Sequence, residues 1–187
     1  MTEPTSLGNG LVRAAEEVLG QGRSLLRVID SNAHDNNVYA WKDNGGCGAS
    51  IGMHYRHVLE HFQCLLEGIP KGRINYDERR RSFELETSVE ASLAATEDLV
   101  AGFRELPAEA LHSPCGVAYS VNHIVNDGDD AQEVSSTVAR ELMFCIGHAT
   151  HHYALMKPHC AELGIKIPYE FGVAPSTLKH LETHQGR

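Results

Sequence analysis

The hydrophobic residues of this chain recur mostly at steps of three and four, the spacing of amphipathic helices. Four such stretches follow one another: Leu11 to Ile29, Ser50 to Leu66, Phe83 to Leu106 and Thr137 to Met156. Gly68 and Pro70 follow the second stretch and Pro107 follows the third, where each would end a helix. Pro158 is expected to end or kink the fourth. The pattern therefore predicts four long helices.

The segments between the helices have different patterns. Asp30 to Gly48 is rich in Asn, Asp and Gly and is predicted to be a long loop. Val117 to Val125 alternates loosely between apolar and polar residues, NDGDD offers a turn, and the alternation resumes at Glu133 to Val138. This arrangement predicts a β-hairpin directly before the fourth helix.

The predicted fold class is all-α: an antiparallel four-helix bundle with a small β-hairpin before the last long helix. The bundle is expected to occupy residues 1–175. The segment through Pro168 and Pro175 is expected to be extended, and residues 176–187 are expected to form a mobile tail.

Composition narrows the classes of function. The chain has 187 residues, with 16 Lys and Arg against 25 Asp and Glu, and a formal net charge of −9. Such a chain is a poor match for nucleic acid or an anionic membrane surface. No apolar run approaches the ~20 residues of a membrane-spanning helix, and the N-terminus lacks the pattern of a secretory signal. A cytoplasmic protein is expected. The five cysteines are widely spaced without a CxxC pair, which argues against a disulfide framework.

Histidine is the unusual residue, with 12 copies. A random arrangement would give about 0.8 pairs at a spacing of four, the spacing of neighbours on a helix face. Three pairs occur: His57/His61, His148/His152 and His180/His184. The last pair lies in the expected tail, whereas the first two lie on predicted helices.

On the fourth predicted helix, Glu141, Cys145, His148 and His152 follow steps of four, three and four and therefore share one face. Two imidazoles one turn apart can bind a single cation. Glu141 could orient a metal-bound imidazole, or could simply be an acid in the first turn of the helix. Cys145 could be a soft ligand, or a buried thiol that packs as a small hydrophobe.

On the second predicted helix, His54, His57, His61 and Cys64 also share one face. With Glu60, the pair His57 and His61 matches H-x-x-E-H, an inverted zinc-hydrolase motif in which the glutamate is a general base. In a second interpretation, one histidine of this helix joins His148 and His152 inside the bundle. Three imidazoles leave coordination positions open, as in catalytic metal sites.

The stretches SIGMHYRHVLEH (residues 50–61) and GHATHHYA (residues 147–154) resemble the DinB, or YfiT-like, family of four-helix bundles. The resemblance implies a metal triad of His57, His148 and His152 and frequent homodimerisation. His54 and His61 lie beside His57 and stay open as the ligand from the second helix. A related sulfoxide-synthase pattern, H-x-x-x-H-x-E, fails because Ala154 stands at its last position.

The resemblance implies a metal-dependent enzyme that acts on a small molecule by thiol transfer or hydrolysis. The alternative is a non-catalytic, metal-stabilised bundle that binds a small ligand or forms a dimer. Imidazole ligands suit zinc, nickel or iron(II), and the sequence does not choose among these metals.

Overall fold

The computed structural model describes residues 6–31, 35–42, 48–120 and 131–184. The helices are α1 (Ser6–Ser31), α2 (Asp35–Ala40), α3 (Ile51–Gly68), α4 (Phe83–Thr87), α5 (Val89–Glu105), α6 (Val138–Glu162) and α7 (Pro175–His184). The strands are β1 (Arg73–Asn75), β2 (Pro114–Ser120) and β3 (Ala131–Thr137). The predicted class, a helical bundle with a small sheet, is confirmed. No helix of the described ranges combines the length and apolar character needed to cross a bilayer.

The four long helices form a bundle in which α1 and α3 each pack against both α5 and α6. Two ion pairs, Arg23 with Glu97 and Arg104 with Glu16, join α1 to α5 in antiparallel order. The N-cap expected at the start of α3 is present, since the Ser50 hydroxyl accepts a hydrogen bond from the amide of residue 53 at 3.0 Å. The spacing of apolar residues thus located α1 and α3.

Helices α3 and α5 run parallel to each other. Tyr55 contacts Thr96 near the start of both helices, and Phe62 contacts Phe103 further along. The connector must therefore return along the bundle, and it does so through two 3-10 turns, β1 and α4. A single helix over Phe83 to Leu106 is wrong, because Ser88 ends α4 and caps α5. Its hydroxyl accepts from an amide of the new helix, a bond that a continuous helix would not offer.

The predicted hairpin is present as β2 and β3, paired antiparallel from Pro114 opposite Thr137 to Ser120 opposite Ala131. Its predicted turn lies outside the described residues. The sheet has a third strand, β1, which pairs parallel with β2. Sequence analysis missed β1 because it is three residues long and lies in a basic connector.

Two further expectations are corrected. The segment expected to be a loop contains α2, whose Tyr39 is fully buried and donates a hydrogen bond to the Leu85 carbonyl at 3.0 Å. Helix α6 continues past Pro158 to Glu162, because its last turns bury Met156 and Cys160 in the core. The free energy gained from that packing exceeds the cost of the backbone hydrogen bond that proline removes.

The segment after α6 also differs from expectation. Residues 176–187 are predicted to form a mobile tail, and the structure shows a helix, α7, over Pro175–His184. The mobility of this segment stays a prediction, and residues 185–187 lie outside the described range.

Two glycines of α1 offer a matched test of the packing. A Cβ on Gly20 would meet nothing within 4 Å, whereas a Cβ on Gly22 would overlap the buried rings of Tyr55 and Tyr153. We expect Gly20→Ala to raise the free energy of unfolding by roughly 0.5–1 kcal/mol, because alanine is the better helix former. We expect Gly22→Ala to lower it by about 1–3 kcal/mol through overpacking. Urea unfolding of both variants measures the difference, and equal effects would contradict this packing.

Candidate metal centre

Helices α3 and α6 bring six histidines into one interface. Because the two helices are antiparallel, the start of α3 faces the end of α6. The rings lie in a double row: His54, His57 and His61 on α3, and His148, His152 and His159 on α6. Neighbouring ring centroids are 4.3 to 6.0 Å apart. We call this double row the histidine ladder.

The tightest part of the ladder is formed by His57, His61 and His148. The Nε2 atoms of His57 and His148 are 2.9 Å apart. One ligand nitrogen from each of the three lies within 4.8 Å of the others, the single such group found among the described residues. The Nδ1 of His61 donates to the His57 carbonyl at 2.7 Å, since a carbonyl can only accept. The Nε2 of neutral His61 is therefore left with a lone pair.

His152, the third ligand predicted from the sequence, adjoins this group. Its ring centroid is 4.5 Å from that of His57 and 4.6 Å from that of His148. Its Nδ1 lies 3.0 Å from the Nδ1 of His54. The rings of His57, His148 and His152 thus adjoin one another, while the ligand nitrogens that lie within 4.8 Å of one another belong to His57, His61 and His148. The choice of third ligand between His61 and His152 stays a prediction.

Burial favours the neutral form of five ladder imidazoles, those of His54, His57, His61, His148 and His152. Desolvation, with smaller contributions from neighbouring rings, lowers the pKa of His57 to about 2 and that of His152 to about 3. Desolvation also lowers the pKa of His61 to about 4, and it lowers the pKa of both His54 and His148. The neutral form is the one that binds metals, so these residues are prepared for ligation without losing protons.

Glu141 does not contact an imidazole, which corrects one interpretation of its place on the histidine face. Its carboxylate accepts hydrogen bonds from the Tyr76 hydroxyl at 3.0 Å and the Ser136 hydroxyl at 2.5 Å. The Tyr76 ring in turn stacks on His61, with centroids 5.2 Å apart. Glu141 therefore acts on the ladder indirectly, by holding a tyrosine against one of its rings.

Cys145 behaves as a buried thiol. It is 1% exposed, and its Sγ lies 3.7 Å from the His61 carbonyl oxygen. Desolvation raises the pKa of the Cys145 thiol to about 12, so the thiolate that a metal would need is disfavoured. The interpretation as a small hydrophobe fits this environment better than the interpretation as a soft ligand.

Glu60, the glutamate of the H-x-x-E-H motif, is not placed to act as a general base. Glu60 is 2% exposed, and its carboxylate accepts a hydrogen bond from the Ser82 amide at 2.7 Å. The side chain is thus engaged in fixing the returning connector. His57 and His61 share a helix face that Glu60 does not.

Two residues of the site were not predicted. His159 lies on the ladder face seven residues after His152, and the expectation that Pro158 ended the helix concealed it. The ring of Phe144 stacks on His148, with centroids 5.3 Å apart. The spacing of four between Phe144 and His148 could have indicated this contact.

A cleft of about 640 Å³ opens beside the ladder at the junction of the sheet and α6. Its walls include Val117, Val134, Tyr76 and Phe144, and the last two stack on ladder histidines. A second depression of about 440 Å³ shares Phe144 and extends to His148. Space of the size of a small metabolite thus reaches the edge of the ladder.

Comparison with known proteins agrees with this architecture. The structure superimposes on a crystal structure of a DinB-like protein from Bacillus subtilis with a TM-score of 0.61 and 18% sequence identity, covering 87% of this chain and 98% of the other. The predicted DinB-like resemblance is confirmed at the level of the fold.

One curated relative matches in sequence. It is FK506-binding protein 5 of Rhizopus delemar, 33% identical over 111 residues, which are 58% of this chain. The match covers only 28% of the relative's own length. No family model matches the chain.

The lowered pKa values predict acid sensitivity of the metal-free protein. Below the unfolded pKa of about 6.5, unfolded histidines bind protons that the folded ladder does not, so stability falls as pH falls. Buried His61 alone contributes a slope of up to ~1.4 kcal/mol per pH unit, and the partly exposed rings contribute less. Urea unfolding with a chelator present, from about pH 7 to about pH 5, measures the loss. His61→Asn should show a shallower slope, and a wild-type profile that stays flat would contradict a neutral ladder.

Proposed function

We propose that this protein binds a divalent metal ion between α3 and α6 and uses it as an enzyme acting on a small molecule. The sequence predicts His57, His148 and His152 as ligands, and the closest ligand nitrogens belong to His57, His61 and His148. His57 and His148 are common to both sets. The 2.9 Å approach of their Nε2 atoms is the observation that carries the proposal. The third ligand is a flanking imidazole, His61 or His152.

The chemistry of the ladder supports a cation as its ligand. The ion pairs among the described residues join arginines to glutamates, and none includes a ladder histidine. Neutral imidazoles therefore offer several lone pairs to the space between α3 and α6, and the negative charge of Asp77 lies near His61. Zinc, nickel and iron(II) all suit such nitrogen ligands.

The adjoining cleft supports an enzyme. A bound divalent ion would lower the pKa of a coordinated water or thiol, which would then be a nucleophile at neutral pH. The cleft offers an apolar wall at Val117 and Val134 for a small substrate, and aromatic rings at Tyr76 and Phe144 where it meets the ladder. Thiol transfer to an electrophile and hydrolysis are the two reactions that we propose to test.

Single alanine variants test the metal site. We expect His57→Ala and His148→Ala to abolish stoichiometric binding of Zn²⁺ or Ni²⁺, because each removes one member of the shared pair. His151→Ala is the matched control: this histidine is exposed on the same helix, and its loss should leave binding unchanged. Elemental analysis after dialysis gives the stoichiometry. Equal binding by all three variants would refute the proposed site.

A cleft-filling variant tests for an enzyme. Val134 is 48% exposed and lines the cleft, so we expect Val134→Trp to lower kcat/KM by about tenfold or more while metal content stays unchanged. Leu155→Trp, at an exposed position of α6 outside the cleft, is the control. The assays are transfer of glutathione to chlorodinitrobenzene and hydrolysis of p-nitrophenyl acetate. Equal rates for metal-loaded and metal-free wild type in both assays would count against these two reactions.

The second candidate function is a non-catalytic bundle in which the metal fastens α3 to α6. The burial of His54 and His61 inside that interface, at 8% and 5% exposure, favours it. In this case the chain would be a ligand-binding or homodimeric interaction protein. Metal would then raise the melting temperature without turnover, and sedimentation would report a dimer.

A further inference from the structure

His54 is a buried histidine with a single hydrogen-bond partner. It is 8% exposed, and its Nδ1 lies 3.0 Å from the Nδ1 of His152. Its other nitrogen, Nε2, is buried without a partner among the described residues. Burying an imidazole nitrogen without a hydrogen-bond partner costs free energy of folding. Such a group in a native structure therefore calls for an explanation.

The direction of the bond between His54 and His152 determines what His152 can do. A neutral imidazole carries one N–H, so one of the two Nδ1 atoms donates and the other accepts. If His54 donates, the proton of His152 lies on Nε2 and that nitrogen cannot bind a metal. If His152 donates from Nδ1, its Nε2 keeps a lone pair and is available as a ligand.

We propose that His54 is a positioning residue that accepts the Nδ1 proton of His152 and thereby makes His152 the third metal ligand. This inference rests on the proposed metal-binding function. Metal-binding histidines generally donate their other N–H to a neighbouring acceptor, which fixes the tautomer and the ring orientation. His54 supplies that acceptor from the opposite helix.

The surroundings of His54 agree with this direction of the hydrogen bond, in which His152 donates and His54 accepts. When its Nδ1 accepts, its proton lies on Nε2, the buried nitrogen without a partner. The neighbouring ring is His159, with centroids 6.0 Å apart, and the Nδ1 of His159 is also buried without a partner. A donor on His54 Nε2 and an acceptor on His159 Nδ1 are chemically complementary. His54 is therefore compatible with the acceptor role on both sides of its ring.

Two substitutions at this position separate the hydrogen bond from packing. Leucine at position 54 removes the acceptor and keeps an apolar side chain. Asparagine places an amide oxygen about where the histidine Nδ1 lies, so it keeps the acceptor. We expect His54→Leu to weaken Zn²⁺ binding about 10–100-fold, and His54→Asn to restore most of that loss. Competition with a chromophoric chelator at neutral pH measures affinity on the full chain, and urea unfolding of the metal-free variants checks that each folds.

A double-mutant cycle tests whether His54 acts through His152. In a His152→Ala background, we expect His54→Leu to cause no further loss of Zn²⁺ affinity. The visible spectrum of the Co²⁺-loaded protein should change in His54→Leu and return towards wild type in His54→Asn. His159→Leu, a buried ladder histidine outside the ligand set, should change Zn²⁺ affinity less than His54→Leu.

The outcomes distinguish this inference from the proposed function. Wild type that binds no metal would overturn both. If wild type binds Zn²⁺ and His54→Leu binds it with the same affinity, the positioning role alone is overturned. The same holds if the losses of Zn²⁺ affinity caused by His54→Leu and His152→Ala are fully additive in the double variant. If His152→Ala binds Zn²⁺ normally and His61→Ala does not, His61 is the third ligand. The metal site would then stand and the inference about His54 would be wrong.

Discussion

The antiparallel packing of α3 against α6 is the constraint on which the candidate site depends. Each helix carries its histidines on one face, and neither face alone brings three imidazoles to a point. The packing places His57 against His148 with 2.9 Å between their Nε2 atoms, and the other ladder rings follow from the periods of the two helices. A shift of one turn between the helices would separate this pair by ~5 Å and remove the group. The site is therefore a property of the interface.

Burying these imidazoles between α3 and α6 costs free energy of folding. Helix packing alone does not explain why polar side chains occupy these positions. Desolvation lowers the pKa of ladder histidines such as His57 and His152, and two ladder nitrogens, His54 Nε2 and His159 Nδ1, are buried without partners among the described residues. Apolar side chains at these positions would pack without that cost. A metal ion that binds only the folded state would offset the cost through the free energy of ligation. The same lowered pKa values that weaken the empty bundle in acid reduce competition between protons and the metal.

The sequence predicted the two helix faces but not their alignment. The period of apolar residues located α3 and α6, and the spacing of His148 and His152 identified the histidine face of α6. Both signals are local in the sequence. The axial offset between helices depends on long-range packing, such as that of Tyr55 and Tyr153 over Gly22, and a single sequence does not encode it visibly. For that reason the choice of His57 as the ligand from α3 came from the family resemblance, and His54 and His61 stayed open. The expected end of the fourth helix near Pro158 was wrong because tertiary packing of Met156 and Cys160 extends α6 to Glu162, and the cap at Ser88 was not recognised.

The two ends of the ladder differ in a way that bears on function. At one end, Tyr76 and Phe144 stack on His61 and His148 and form the boundary with the cleft. At the other end, the His54 ring lies beside the rings of His152 and His159. The two ends do not differ in burial, since His61 at the cleft end is 5% exposed and His54 and His159 are 8% and 7% exposed. They differ in their neighbours, which are aromatic rings that line the cleft at one end and further imidazoles at the other. A metal that fastens two helices does not need a cleft beside it, whereas a catalytic metal needs space for a substrate, and the position of the cleft is why we favour the enzyme over the metal-stabilised bundle.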